Sequence, residues 1–192
     1  MSFRTKIPLD EAREILAELS AYLEPFCHRM AIGGSVRRES PIVGDIELVV
    51  IPKMKSADLF GDRTVATVED AFKALIGTKL LKVIKNGSKY KQFHYLKTKP
   101  ATVFDFWMVD PNGFGNQLAI RTGPWQYSKA LVTQRCKAGL LDDNYRVKDG
   151  FVWRYDAEWV MVPMLEEPDF FELIKGGWVE PKLRGRGFAN KI

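Results

Sequence analysis

Apolar residues recur at helical spacing in two stretches of the first half of the chain. In residues 9–24 they fall three or four positions apart, and Asp10 and Glu11 occupy the first turn, where a helix dipole favours negative charge. Residues 65–76 show the same spacing, and Gly77 follows as a terminator. The apolar positions are Ala12, Ile15, Leu16, Leu19, Leu23, Val68, Ala71, Phe72, Leu75 and Ile76. The pattern predicts two amphipathic helices, the first packed on a sheet.

Other stretches of the first half have the composition of strands. Residues 26–32 and 45–51 predict paired strands on either side of a glycine-rich turn, and a polar loop is expected over residues 53–64. The Asn86-Gly87 pair lies between residues 80–85 and 90–96, which predicts a hairpin. Residues 101–110 are rich in β-branched and aromatic residues and predict a further strand.

The second half of the chain predicts two more helices. A helix is expected to open at Thr122-Gly123-Pro124, with proline in its first turn, and to continue to about Ala138 before Gly139 stops it. Residues 166–175 predict a short capped helix.

Composition and charge limit the class of protein. Lys plus Arg exceed Asp plus Glu by 29 to 24, which gives a net charge of +5 and permits nucleic-acid binding. Residues 79–99 carry seven lysines and no acid, and a second basic cluster comprises Lys182, Arg184, Arg186 and Lys191. Neither a membrane span nor a signal peptide is predicted. Two cysteines fit no disulfide framework, so a reducing, cytoplasmic location is expected.

The stretch Gly33–Ile51 carries the clearest candidate chemistry. Its glycines let backbone N–H groups approach phosphate oxygens, Ser35 adds a hydroxyl, and Arg37 or Arg38 can supply a planar cationic fork for a triphosphate. Asp45 and Glu47 alternate with apolar residues, so both carboxylates project from one face of a strand, where they suit Mg²⁺. The alternative is an ordinary turn with a solvated charge pair.

Asp105 is the one carboxylate inside the apolar run of residues 101–108. A buried acid is costly unless it is paired or binds a metal ion, so Asp105 is a candidate for one of these two roles. The alternative is an edge strand on which Asp105 faces solvent. Asp110 precedes Pro111-Asn112-Gly113 and is expected to be a turn residue.

The pattern G-S-x-x-R followed by G-D-x-E and an apolar strand resembles the nucleotidyltransferases of DNA polymerase family X, the polymerase β type. The resemblance implies that Asp45, Glu47 and Asp105 are catalytic and hold two Mg²⁺ ions, with Mn²⁺ as a possible substitute. The family normally carries aspartate where Glu47 stands; glutamate keeps the charge and adds a methylene. The resemblance also implies that Gly34, Ser35, Arg38 and Gly44 bind the nucleotide and its phosphates.

Later motifs extend the resemblance to about residue 184. Thr122-Gly123-Pro124-x-x-Tyr127 is similar to the T-G-x-x-x-F/Y motif beneath the sugar and base of the incoming nucleotide, and Ser128 follows it. Ile120 and Arg121 stand where many members have an aromatic pair, and Arg121 is included in the nucleotide site. Residues 142–151 resemble the family's small antiparallel sheet, with a tight turn at Asp149-Gly150, and residues 178–184 resemble its closing Y-x-x-P-x-x-R segment.

The resemblance implies an α+β fold: a polymerase β-like palm with a mixed or antiparallel sheet over residues 1–110, and a small α+β nucleotide-binding subdomain over residues 111–192. The family's N-terminal lyase and fingers regions are not expected. The expected partners are a DNA primer–template and a nucleoside triphosphate, and a monomer is expected. The expected DNA contacts are basic residues on the hairpin, the third helix and the closing segment: Lys85, Lys89, Lys91, Lys129, Arg135, Lys182 and Arg184.

The expected reaction is attack of a primer 3′-hydroxyl on the α-phosphate, with release of pyrophosphate and with Asp105 receiving or relaying the proton. Short-gap or repair-type DNA synthesis is the first interpretation, in a cytoplasmic or virus-encoded intracellular protein. A template-independent nucleotidyltransferase acting on nucleic acid or another acceptor is the second. A catalytically silent DNA-binding relic is the third, because of Glu47 and the missing aromatic pair.

Overall fold

The computed structural model describes residues 6–56 and 64–185. The helices, in chain order, are α1 (Leu9–Leu23), α2 (Gly34–Arg37), α3 (Val68–Gly77), α4 (Phe114–Thr122), α5 (Trp125–Leu131) and α6 (Glu167–Phe171). The strands are β1 (Ile7–Pro8), β2 (Cys27–Ile32), β3 (Ile42–Val43), β4 (Asp45–Pro52), β5 (Met54–Ser56), β6 (Thr64–Ala66), β7 (Leu81–Asn86), β8 (Tyr90–Tyr95), β9 (Thr102–Met108), β10 (Tyr145–Lys148), β11 (Phe151–Asp156) and β12 (Glu158–Val162). Helices and a mixed sheet together confirm the predicted α+β class.

The chain divides into two compact units. The first unit contains the described residues up to Ile32 together with Pro41–Met108, and the second contains Gly33–Ser40 with the described residues from Val109 onward. The division falls close to the predicted boundary near residue 110. It differs from the prediction in one respect, because the glycine-rich segment Gly33–Ser40 belongs to the second unit.

The first unit is built on a five-stranded sheet with the order β2-β4-β9-β8-β7. β4 and β9 run parallel, whereas β2 with β4, β8 with β9 and β7 with β8 are antiparallel. The predicted hairpin at Asn86-Gly87 is confirmed as β7 and β8. β9 is a central strand with partners on both sides, so Asp105 does not lie on an edge strand, and that alternative is wrong.

Both predicted helices of the first unit form, and their apolar stripes are buried. α1 buries all five predicted positions, whereas α3 buries four of its five and leaves Ile76 exposed at its end. Phe72 of α3 stacks on Phe93 of β8 at 4.6 Å between ring centroids and meets Phe106 of β9 edge-on at 4.8 Å. Packing of this kind, rather than helix propensity, holds a short helix in place.

The second unit packs its helices and the antiparallel sheet β10-β11-β12 around one apolar core. The tight turn at Asp149-Gly150 joins β10 to β11 as predicted. β12 and α4 were not predicted, and neither was the short strand pair β5 and β6 of the first unit. α6 forms as a capped helix with a capping box between Glu166 and Asp169, but it is shorter than residues 166–175.

The predicted helix over residues 122–138 is wrong in extent. α4 ends at Thr122, α5 ends at Leu131, and residues 133–141 then fold back as a tight loop. The loop is closed by backbone hydrogen bonds from Arg135 N to Leu141 O at 2.8 Å and from Leu141 N to Thr133 O at 3.0 Å. These bonds satisfy backbone N–H and C=O groups that would otherwise be paired within a helix. The spacing of apolar residues in the sequence does not predict such a loop.

Residues 6–56 and 64–185 contain no helix with the length and apolar character that crossing a bilayer requires.

Candidate functional site

The three candidate carboxylates lie in the first unit on adjacent strands. In the parallel pairing of β4 with β9, Glu47 lies beside Asp105 and Asp45 lies beside Val103. Register partners project from the same face of a sheet, and so do residues two apart in one strand. The side chains of Asp45, Glu47 and Asp105 therefore share one face. The spacing in the sequence predicted this for Asp45 and Glu47, and the resemblance implied the third. Gly44 immediately precedes β4.

Asp105 is nearly buried, with 4% of its surface exposed, and two neighbouring side chains hold its carboxylate. The Tyr90 hydroxyl and the Gln92 amide both donate to Asp105 Oδ1, each at 2.8 Å. Gln92 is the register partner of Asp105, and the Tyr90 ring stacks on Trp107 with 4.0 Å between ring centroids. The two donors compensate part of the cost of burying the carboxylate and fix its orientation. No local signal in the sequence pointed to either donor.

The donor set of this face suits a hard divalent cation. Within the described residues, no group of three or more Asp, Glu, His or Cys side chains is gathered closely enough to hold a metal ion. The chemistry of three carboxylates on two adjacent strands nevertheless fits Mg²⁺, which prefers oxygen ligands. Glu47 and Asp105, which lie side by side in the register, could both bind such an ion, and Asp45 could provide a third carboxylate ligand.

The glycine-rich turn lies in the second unit and opens α2. Gly34 has a φ of +58°, a left-handed conformation that L side chains rarely adopt, and this lets the chain turn sharply into the helix. Ser35 Oγ is shielded from solvent and has no hydrogen-bond partner among the described residues. A buried hydroxyl without a partner is costly, and an anionic ligand would satisfy it.

Arg37 anchors the turn to the interior of the second unit through Glu167. The guanidinium donates to both carboxylate oxygens of Glu167, at 2.9 and 2.6 Å, and Arg184 Nη1 donates to the same carboxylate at 2.5 Å. Glu167 and Arg184 are buried, with 4% and 0% of their side chains exposed, whereas Arg37 is 22% exposed. Arg37 is therefore a structural residue in this arrangement, and of the two adjacent arginines Arg38 remains the candidate phosphate ligand.

The T-G motif meets the same turn. Arg37 Nη1 donates to the Thr122 hydroxyl at 2.7 Å, and Arg38 Nη1 donates to the Thr122 carbonyl at 2.6 Å. The Thr122 hydroxyl in turn donates to the Leu118 carbonyl at 2.7 Å. Three predicted site residues from two distant motifs, Ser35, Arg38 and Thr122, are thus brought into one neighbourhood of the second unit.

Two predicted nucleotide-site residues have their side chains engaged elsewhere. Tyr127 is 4% exposed and belongs to the core, where burial raises the pKa of its hydroxyl, so its ring supports the turn from within. Ser128 Oγ donates to the Ile120 carbonyl at 2.6 Å instead of projecting as an unbound hydroxyl. Gly123 caps α4, and Arg121 occupies its last turn, partly exposed.

The closing segment packs on the T-G-P turn. Gly185 has a φ of +87°, and a Cβ at this position would lie 2.3 Å from Pro124 Cγ, so only glycine fits the contact. The preceding Arg184 donates from Nε to the Val179 carbonyl at 2.9 Å, and its guanidinium lies over the rings of Phe171 and Trp178. The motif P-x-x-R therefore supports the turn of the T-G motif.

The predicted DNA contacts separate into exposed and buried residues. Lys85, Lys89, Lys129 and Lys182 are exposed, and so is Arg135, which is paired with Asp142 at 3.0 Å. Lys91 is 2% exposed and paired with Glu69 at 2.8 Å, and Arg184 is buried as described above. We therefore remove Lys91 and Arg184 from the expected DNA contacts. Arg186 and Lys191 lie outside the described residues.

An open pocket lies beside α5, which directly follows the T-G-P turn, and beside the loop after this helix. Trp125, which is 70% exposed, lines it together with Lys129 and Lys137. An exposed aromatic ring beside two ammonium groups offers stacking and phosphate contact at once. Lys129 was predicted as a DNA contact, whereas Trp125 was not singled out from the sequence.

Comparison with known proteins adds nothing to this description: no protein-family model matches the chain, and no curated protein matches it.

Proposed function

We propose that the chain is a metal-dependent nucleotidyltransferase of the DNA polymerase family X type, which adds a nucleotide to a primer 3′-hydroxyl. One observation carries the proposal. The G-S-x-R-R, T-G and P-x-x-R motifs are spread over residues 34–184, yet Arg37, Thr122 and Arg184 belong to one hydrogen-bonded network around Glu167. Convergence of this kind is expected if the motifs form one nucleotide-binding apparatus, and it is not expected of unrelated turns.

One group of residues would bind the nucleotide phosphates, and another would bind the metal ions. The Gly34 turn, Ser35 and Arg38 would hold phosphate oxygens, because they combine a backbone nest, a hydroxyl with no hydrogen-bond partner among the residues that the structure describes, and a guanidinium. Asp45, Glu47 and Asp105 would hold two Mg²⁺ ions. When bound, such ions lower the pKa of the attacking hydroxyl and stabilise charge on the transferred phosphate.

The reaction forms a bond between the primer 3′ oxygen and the α-phosphorus and breaks the bond from that phosphorus to the leaving pyrophosphate. The hydroxyl proton must leave the oxygen as it attacks. Asp105 is our candidate to accept or relay it, because its carboxylate is held in a fixed orientation by Tyr90 and Gln92.

Primer extension with and without a template, with each nucleotide in turn, tests the proposal. Asp105→Asn keeps an oxygen that can accept from Tyr90 and Gln92 but removes the charge and the base, so extension should fall by about 100-fold or more while the chain stays folded. Asp10→Asn is the matched control, since Asp10 is 90% exposed on α1. Extension by Asp105→Asn at the wild-type rate would contradict the mechanism, and addition that ignores the template would favour a template-independent transferase.

A further inference from the structure

The small sheet of the second unit has one face that the core does not use. Alternate residues of a strand project to opposite faces, and Val147, Val152 and Val162 face the core. The pairings of Arg146 with Trp153, Trp153 with Met161 and Tyr155 with Trp159 place these side chains on the other face. We define the outer face by Arg146, Lys148, Trp153, Tyr155, Trp159 and Met161.

Aromatic rings on the outer face are exposed and arranged around a cation. Tyr155 is 57% exposed, and Trp153 and Trp159 are partly exposed. The Arg146 guanidinium lies 3.9 Å from the centroid of the Trp159 ring, and Tyr155 meets that ring edge-on at 5.3 Å. The Nε–H of Arg146 is shielded from solvent and has no acceptor among the described residues. The guanidinium is thus held in place chiefly by stacking on Trp159, and its positive charge lies beside the exposed rings.

The charge of the outer face indicates which kind of ligand it can bind. The outer face carries two cations, Arg146 and Lys148, and no carboxylate projects from it within the three strands. The acids Asp156 and Glu158 project to the opposite face, where Asp156 pairs with Arg154 at 3.3 Å. A purely apolar face would suit another protein. Rings interleaved with unopposed cations suit a flexible polyanion with flat, stackable groups.

We propose that the outer face binds single-stranded nucleic acid, with bases stacked on Tyr155 and Trp159 and with phosphates contacted by Arg146 and Lys148. Base stacking on aromatic rings tolerates any sequence, and an ammonium or guanidinium contacts phosphate without reading the base. The surface therefore binds unpaired strands of any sequence, and it discriminates against duplexes, whose bases are already stacked on one another. The inference does not depend on the proposed polymerase reaction.

The test measures the affinity of a labelled oligothymidylate by fluorescence anisotropy in EDTA without nucleotides, so that catalysis does not enter. Tyr155→Ala should weaken binding by about 5- to 150-fold, since one stacked base is lost. Arg146→Gln should weaken binding and also flatten the dependence of log affinity on log salt by about 0.7, the value for one phosphate contact on a single strand. A duplex of the same length should compete poorly.

Two variants are matched controls. Arg154→Gln makes the same charge change in β11 but on the opposite face, and Tyr22→Ala removes an exposed tyrosine, 44% exposed on α1. Both should bind as the wild type does. Wild-type affinity in Tyr155→Ala and Arg146→Gln, an equal loss in Arg154→Gln, or equal competition by duplex would each overturn the proposal. Self-association that Tyr155→Ala abolishes, with oligonucleotide binding unchanged, would instead make the face a protein interface and would also overturn it.

Discussion

Glu167 is the residue on which the second unit depends most sharply. Its carboxylate is shared by Arg37 and Arg184, and Arg184 has no exposed side-chain surface. Glu167→Gln keeps the shape but removes the charge and turns an amide N–H₂ toward a guanidinium. A buried cation left without its anion costs about 3–5 kcal/mol of the free energy of unfolding. Arg37→Gln should cost less, about 1.5–3 kcal/mol, because the Glu167 carboxylate keeps its bond to Arg184.

Urea unfolding followed by tryptophan fluorescence measures these costs in the second unit. Four of the five tryptophans belong to that unit, and Trp178 lies 5.1 Å from the Arg184 guanidinium. Glu172→Gln is the control, since it neutralises an exposed glutamate that caps the same helix. The double variant Glu167→Leu with Arg184→Met should be more stable than Glu167→Gln, because the fully buried Arg184 charge is removed together with its anion and only Arg37, whose side chain is 22% exposed, loses its partner.

A free energy of unfolding for Glu167→Gln within about 1 kcal/mol of the wild type would refute the reasoning, because such a cost is typical of an exposed pair. Strict additivity of Glu167→Leu and Arg184→Met would refute it as well, since groups in one bonded network couple energetically.

Two further predictions concern the first unit. Tyr90→Phe keeps the ring but removes a donor to Asp105, so affinity for Mn²⁺, measured by titration calorimetry, should fall about 10- to 100-fold, and unchanged affinity would exclude Tyr90 as a support of the metal site. Hydrogen bonds from Lys97 and Tyr95 hold the pKa of Glu18 below its usual range. The resulting stability is present above the pKa of the unfolded chain, about 4.3, and is lost as the pH falls through the lower folded pKa. The stability gap between wild type and Glu18→Gln should therefore be constant from neutral pH to about pH 5 and shrink below that, and a gap independent of pH would contradict this pairing.

Local sequence signals predicted the first unit better than the second. α1, α3 and the β7–β8 hairpin depend on spacing and on an Asn-Gly turn, which act over a few residues. α4 was not predicted because its sequence contains glycine and asparagine, and it is held instead by close backbone contact, with Gly115 N donating to Met164 O at 2.8 Å. Contacts of this kind join residues far apart in sequence, so no local pattern records them.

In the candidate site, too, local features were predicted from the sequence and long-range contacts were not. Strand periodicity, which is local, predicted that Asp45 and Glu47 would share one face, whereas the place of Asp105 beside them was implied only by the family resemblance. Neither predicted Gln92 as a donor to Asp105 or Glu167 as the shared partner of two arginines. Both depend on which side chain a distant element brings into reach, 13 residues away for Gln92 and 130 residues away from Arg37 for Glu167.

Residue type alone does not distinguish the two adjacent arginines of the glycine-rich turn, and only the resemblance to the family motif selected Arg38 as the phosphate ligand. The structure gives the two side chains different partners. Arg37 uses both arms of its guanidinium on Glu167, which a lysine cannot reproduce because an ammonium is a point charge without a planar fork. Arg38 instead donates to a backbone carbonyl of the T-G motif. The charge of Arg37 is balanced by Glu167, so Arg37 is poorly suited to bind an anionic phosphate. The ion pair of Arg37 therefore orients the turn, and Arg38 is the arginine that we propose to contact the nucleotide.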